Sequence, residues 1–200
     1  MLTIPSLYEL LYHEPLLTKK ERIVKADKEW EALFIEVIGI LQSKDHINIV
    51  DKNFCDLTYD WLYRLWKKEP GSGYRIIQAG LKDYHETMED IVSCLKALWY
   101  LFMDWECLEQ EGLVSSGKID ISFLATYVSG HSHTLDVKKK LAGRLFFRAL
   151  EDNYVHKYCD NEEMDPLECT PGFMRKRMIY RLYRLHDDQV SSIFHKFTLD

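Results

Sequence analysis

The stretch Asp83–Glu111, DYHETMEDIVSCLKALWYLFMDWECLEQE, constrains the fold more than any other part of the chain. Its apolar residues, Met88, Ile91, Val92, Leu95, Leu98, Trp99, Phe102, Trp105 and Leu108, recur in steps of three and four. That spacing places them on one face of an α-helix. Ala97–Met103 is apolar throughout, so the middle of this helix is expected to be covered on all sides. A rise of about 1.5 Å per residue makes it roughly 40 Å long. Gly112 is a natural stop. Asp104, Glu106, Glu109 and Glu111 crowd the C-terminal end of the segment, where carboxylates oppose the helix dipole unless they face water or a basic partner.

The other segments have the same period. Thr18 and Glu21 have capping-box spacing ahead of Ile23, Trp30, Leu33, Phe34, Val37, Ile38 and Leu41. Phe54–Trp66 reads as a further helix, followed by the joint Pro70-Gly71-Ser72-Gly73 and a short helix Tyr74–Ala79. Ser115-Ser116-Gly117 reads as a turn, and Asp120 caps a helix that ends at Ser129-Gly130. A long helix is expected from Thr134 to about Tyr158. Another follows Thr170-Pro171, with Met174, Met178, Leu182 and Leu185 as its apolar face. Short helical pieces are expected at Ser6–His13 and Val190–Phe197. No segment alternates like a strand. The expected fold is all-α: one domain over residues 1–200, a bundle of six to eight helices around the 83–111 helix. A flexible joint at 70–73 and an acidic loop at 159–170 interrupt it.

An apolar fraction of 46% is ample for a core. No apolar run approaches a membrane span, and the first residues lack the basic start of a secretory signal. Five scattered cysteines fit reduced thiols in the cytoplasm better than a disulfide framework. There is no phosphate-binding glycine loop, dinucleotide fingerprint or Gly-x-Ser-x-Gly. The His131-Ser132-His133 pair has no zinc-type companions, so neither a metal nor a cofactor is expected. The i, i+4 pairs His85–Glu89 and Asp152–His156 read as surface ion pairs or hydrogen bonds. Of the five tryptophans, Trp66 beside Lys67 and Lys68 is the one expected to be exposed.

Charge is segregated although the net is only −6. Lys140, Arg144 and Arg148 form one basic stripe, and Arg177, Arg181 and Arg184 form another. Such rows suit phosphate or carboxylate recognition, with Tyr180 and Tyr183 placed to stack on bases. Acids of the central helix and of the 160–168 loop are available to neutralise them. Arg181 and His186 have Arg-x4-His spacing, which resembles the motif of the HEPN superfamily of all-α proteins. The resemblance covers six residues and implies RNA cleavage, with Arg181 holding the phosphate and His186 moving a proton. It departs from the usual pattern at Leu182, where a polar residue is common.

The reading favoured by the missing catalytic motifs is a non-enzymatic α-helical protein that binds another macromolecule. It is an inhibitor, immunity-type protein or adaptor, and Glu162, Glu163 and Asp165 supply an acidic contact for a protein partner. The alternative is a nucleic-acid-binding protein or HEPN-like ribonuclease that uses the two stripes.

Overall fold

The computed structural model describes residues 13, 15–44, 47, 56–81, 83–158, 167 and 170–187. The expected helices at 6–13 (apart from His13) and 190–197, most of the acidic loop 159–170, and Cys55, Cys159 and Cys169 lie outside the described residues. The chain divides into two compact units, Met1–Glu36 and Val37–Asp200. Helix α1, Lys19–Lys44, runs across the division.

In the first unit the capping box forms as the sequence predicts. The Thr18 N–H donates to Glu21 Oε2 at 2.8 Å, and the Glu21 N–H donates to Thr18 Oγ1 at 3.3 Å. The Thr18 N–H and the Thr18 hydroxyl, which also donates to Glu21 Oε2 at 2.8 Å, favour the ionised Glu21 carboxylate and lower its pKa. Further along, the rings of Trp30 and Phe34 lie 5.1 Å apart. Gly39, in the second unit, leaves α1 unbroken.

The second unit is all-α apart from a small sheet. Its helices are α2 (Asp56–Trp66), α3 (Tyr74–Gly80), α4 (Tyr84–Phe102), α5 (Trp105–Gln110), α6 (Ile121–Ser129), α7 (Leu141–Tyr158) and α8 (Gly172–Leu182). The described residues thus hold eight helices, α1 included. Helix α4 packs most extensively against α7, and also against α3, α5 and α6. Leu98, Phe146, Ala149 and Leu150 are completely buried in this core. A buried leucine or phenylalanine contributes roughly 1.5–3 kcal/mol.

The central helix is shorter than its apolar pattern. It stops at Phe102, and Asp104 begins a new helix by accepting a hydrogen bond from the Cys107 N–H at 3.3 Å. Asp104 and Glu106 therefore sit at the N-terminus of α5, where the dipole favours them, rather than at the end of one long helix. Gly112, at φ 70°, ends α5 as expected.

Helix α7 begins at Leu141, not at Thr134. The Lys138 N–H donates to Asp136 Oδ1, and the Lys139 and Lys140 N–H groups donate to the Asp136 carbonyl. This local turn competes with helix. The free N–H groups of Leu141 and Ala142 are instead served by Asp90 of α4. Gly143 lets the turn lie directly on the helix. A Cβ there would meet the backbone of Leu135 and Asp136 at 2.5–2.6 Å.

Three short strands depart from the strandless expectation. β1 (Val114–Ser115) and β2 (Lys118–Asp120) form an antiparallel hairpin. Ser116 (φ 52°) and Gly117 (φ 71°) make its turn. β2 then pairs in parallel with β3 (Leu185–His186), in the register Ile119↔Leu185 and Asp120↔His186. Strands of two and three residues are too short to show an alternating pattern.

The joint at 70–73 is anchored on two sides. The Trp61 indole donates to the Ser72 carbonyl at 2.9 Å, and Arg148 donates to the Gly71 carbonyl.

Candidate functional site

The first basic stripe is partly neutralised within the molecule. Lys140 pairs with Glu86 at 2.9 Å. Arg148 pairs with Glu151 at 2.7 Å as well as holding Gly71. Arg144 is exposed and makes no ion pair with a described residue. Asp152 forms an ion pair with Arg64, and His156 Nδ1 lies 2.9 Å from the Asp152 carbonyl oxygen and 3.6 Å from Asp152 Oδ2, so the two residues of that helical pair are in contact.

The second stripe is rearranged. Helix α8 ends at Leu182, and Arg184 takes a left-handed conformation at φ 58°. It leaves the row and lies over the Trp105 ring, 5.5 Å from its centroid. Tyr180 cannot stack on a base, because it is buried with its ring edge-on to Phe147 at 5.6 Å. Tyr183 packs against Phe102 in the same way at 5.5 Å. Arg181 stays on α8, whereas His186 is on β3 with Nδ1 3.6 Å from Asp120 Oδ2. The two residues of the HEPN-type spacing are thus on different elements rather than on one C-terminal helix. Glu162, Glu163 and Asp165 lie outside the described residues.

The orientation of α8 reverses the sequence expectation. Ile179 and Tyr180 face inward. Beside them, Arg175 pairs with Glu151 and Lys176 with Asp187, each at 2.9 Å. Met174, Met178 and Leu182, expected to be buried, are 47%, 43% and 49% exposed, and Phe173 is 67% exposed. Only Leu185, past the helix, is buried as expected. At about 100° per residue, Arg177 and Arg181 fall between Phe173 on one side and Met174, Met178 and Leu182 on the other. Both arginines are exposed, with no ion pair to a described residue. The outer half of α8 is therefore an apolar ridge with two guanidinium groups set into it.

Trp66 and Tyr63 form a smaller exposed aromatic patch, each 48% exposed, with the Lys67 ammonium over both rings. Trp66 is exposed as its lysine neighbours imply, while Trp30 and Trp61 are buried.

On the inner side of α8 lies a cleft of about 500 Å³. Asp120, Asp136, Asp187, Lys176 and Tyr180 contribute to its wall, with His133, Lys138 and Lys139 also lining it. These residues come from β2, the 131–140 turns, α8 and the residue after β3. No local spacing marks them as a group. No cluster of three or more metal-ligating side chains occurs among the described residues.

The class of protein defined by this geometry is an all-α protein with a small accessory sheet, an exposed apolar-arginine helix face and a mixed-charge cleft. No helix among the described residues is long and apolar enough to cross a membrane. The chain belongs to the family described as "Protein of unknown function N-terminus (DUF3323)", whose sequence model matches residues 2–200. No curated protein and no solved structure matches the chain.

Proposed function

We propose that this is a macromolecular interaction protein whose contact surface is the outer face of α8. Its partner is a protein segment that is both acidic and apolar. The observation that carries this reading is the exposure of Phe173, Met174, Met178 and Leu182 around Arg177 and Arg181. Met, Phe and Arg are the residues enriched at protein interfaces. Two arginines ask for carboxylates in return. The four apolar side chains ask for apolar ones; Met174, Met178 and Leu182 are aliphatic and lack the ring that stacks on a nucleobase. That requirement favours a protein partner over a nucleic acid. Such a surface supports an adaptor or inhibitor role.

The test is a photo-crosslinking amino acid at position 173 in the native host. The expected product is a cross-link to a protein segment carrying acidic and apolar residues. Arg177→Glu with Arg181→Glu is expected to lower the yield at least about tenfold, because like charges then face each other across the contact. An unchanged yield in that double variant, or cross-linking mainly to RNA or DNA, would overturn the reading.

A further inference from the structure

A smaller pocket, of about 260 Å³, lies at the joint between α2 and α3 and is lined by Pro70, Gly71, Gly73, Tyr74, Arg75 and Arg148. None of these residues is acidic, whereas the cleft beside α8 mixes acids with bases. Two arginines therefore share one small space. Gly71 and Gly73 have φ of 88° and 99°, a backbone that other residues rarely adopt. The absence of side chains on this turn lets the Arg148 guanidinium come close. A Cβ on Gly71 would lie 3.3 Å from Arg148 Nη2.

Both guanidinium groups keep donors for a ligand. Arg148 uses Nε for the Gly71 carbonyl and Nη1 for Glu151, and its Nη2 makes no hydrogen bond to a described residue. Glu151 also accepts from Arg175 at 2.9 Å, so one carboxylate is shared between two guanidinium groups and does not neutralise both. Tyr74 positions Arg75. Its hydroxyl accepts from Arg75 Nε at 3.2 Å, and its ring centroid lies 5.8 Å from Cζ. Arg75 is exposed and makes no ion pair with a described residue, which leaves its two terminal nitrogens for a ligand. Arg144, exposed one turn before Arg148 on α7, adds to the positive field.

Guanidinium nitrogens donate and cannot accept. The ligand must therefore be an acceptor, and the charge selects an anion. A carboxylate brings one charge and two oxygens. A phosphate monoester brings close to two charges and three acceptor oxygens at neutral pH, which is the better match for two forked cations. The volume is below the range of drug-sized ligands, so a compact head group fits. We infer that this pocket binds a phosphate dianion, free or as the terminal group of a monoester, between Arg75 and Arg148. The pocket shares no residue with the outer face of α8 and does not depend on the protein-binding reading.

The experiment is calorimetric titration of the full chain, at low ionic strength, with inorganic phosphate, phenyl phosphate, dimethyl phosphate and acetate. Inorganic phosphate or phenyl phosphate is expected to bind at millimolar concentration or below, and the tighter of the two distinguishes a free anion from an ester. Dimethyl phosphate and acetate carry one charge each and are expected to bind at least about tenfold more weakly. Arg75→Gln, at an exposed position where folding is not at risk, is expected to weaken the phosphate ligands about tenfold. Arg75→Lys is expected to recover part of that loss, because the charge returns without the fork. Arg177→Glu with Arg181→Glu is expected to leave all four titrations unchanged, so failure here and failure of the protein-binding reading are separable. The inference is overturned if neither phosphate ligand binds at millimolar concentration. It is equally overturned if dimethyl phosphate or acetate binds as tightly, or if Arg75→Gln has no effect.

Discussion

At the scale of single residues, two side-chain environments lead to measurable consequences. Burial raises the Asp90 carboxyl above its ordinary range, and Lys140 and the Ala142 N–H offset this only in part. The folded state therefore holds this proton more tightly than the unfolded chain does. The contribution of Asp90 to stability is greatest below the unfolded pKa and declines as pH rises through the raised folded value. Asp90→Asn removes the titration but keeps an oxygen for the N–H groups of Leu141 and Ala142. We expect its unfolding free energy, measured by urea denaturation, to fall less than that of the wild type between acid and neutral pH. Parallel profiles would mean that Asp90 does not titrate there. Gly143 and Gly39 form a second contrast. A methyl group at Gly143 collides with the backbone of Leu135 and Asp136, whereas one at Gly39 meets nothing within 4 Å. Gly143→Ala should destabilise by roughly 2–3 kcal/mol. Gly39→Ala, inside α1, should stabilise by about 0.5–1 kcal/mol. Thermal melts of the two variants should shift in opposite directions.

At the scale of elements, starts and stops were more legible in sequence than faces. Thr18 with Glu21, Asp120, Gly112 and Gly130 act through bonds or dihedral angles confined to a few residues, so a short window contains the whole cause. There are two exceptions, the start of α7, which the Asp136 turn moves from the expected Thr134 to Leu141, and Asp104. Asp104 lies within an apolar pattern that continues unchanged past it, yet its backbone is non-helical (φ −135°, ψ 47°) and its carboxylate accepts from the Cys107 N–H, so α4 ends and α5 begins there. Asp104→Ala should therefore cost about 1 kcal/mol. Urea titration of that variant is the check, and a loss near zero would mean that α5 starts without its cap. The face of α8 was not legible because apolar residues occupy most of its circumference. Its rotation is fixed by distant partners, Glu151 for Arg175 and Asp187 for Lys176, together with the burial of Tyr180. The cleft was hidden for the same reason. Asp120, Asp136, Tyr180 and Asp187 become neighbours only after β3 has paired with β2.

At the scale of the whole molecule, the charge pattern divides into structural and exposed parts. Lys140, Arg148, Arg175 and Lys176 form ion pairs with other side chains of the same chain. Arg144, Arg177 and Arg181 remain at the surface, the last two among large apolar groups. The protein-binding proposal rests on this division, and the photo-crosslinking yield tests it. The parallel pairing of β2 with β3 has a consequence for how the molecule is made. The Ile119 N–H donates to the Arg184 carbonyl across the intervening α6, α7 and α8. Contacts so far apart in sequence are slow to form compared with helices. On the ribosome, α4 to α7 can assemble while β2 still has an open edge, and that edge closes only after Leu185 and His186 have emerged. Amide hydrogen exchange during refolding should therefore protect Leu98 before Ile119.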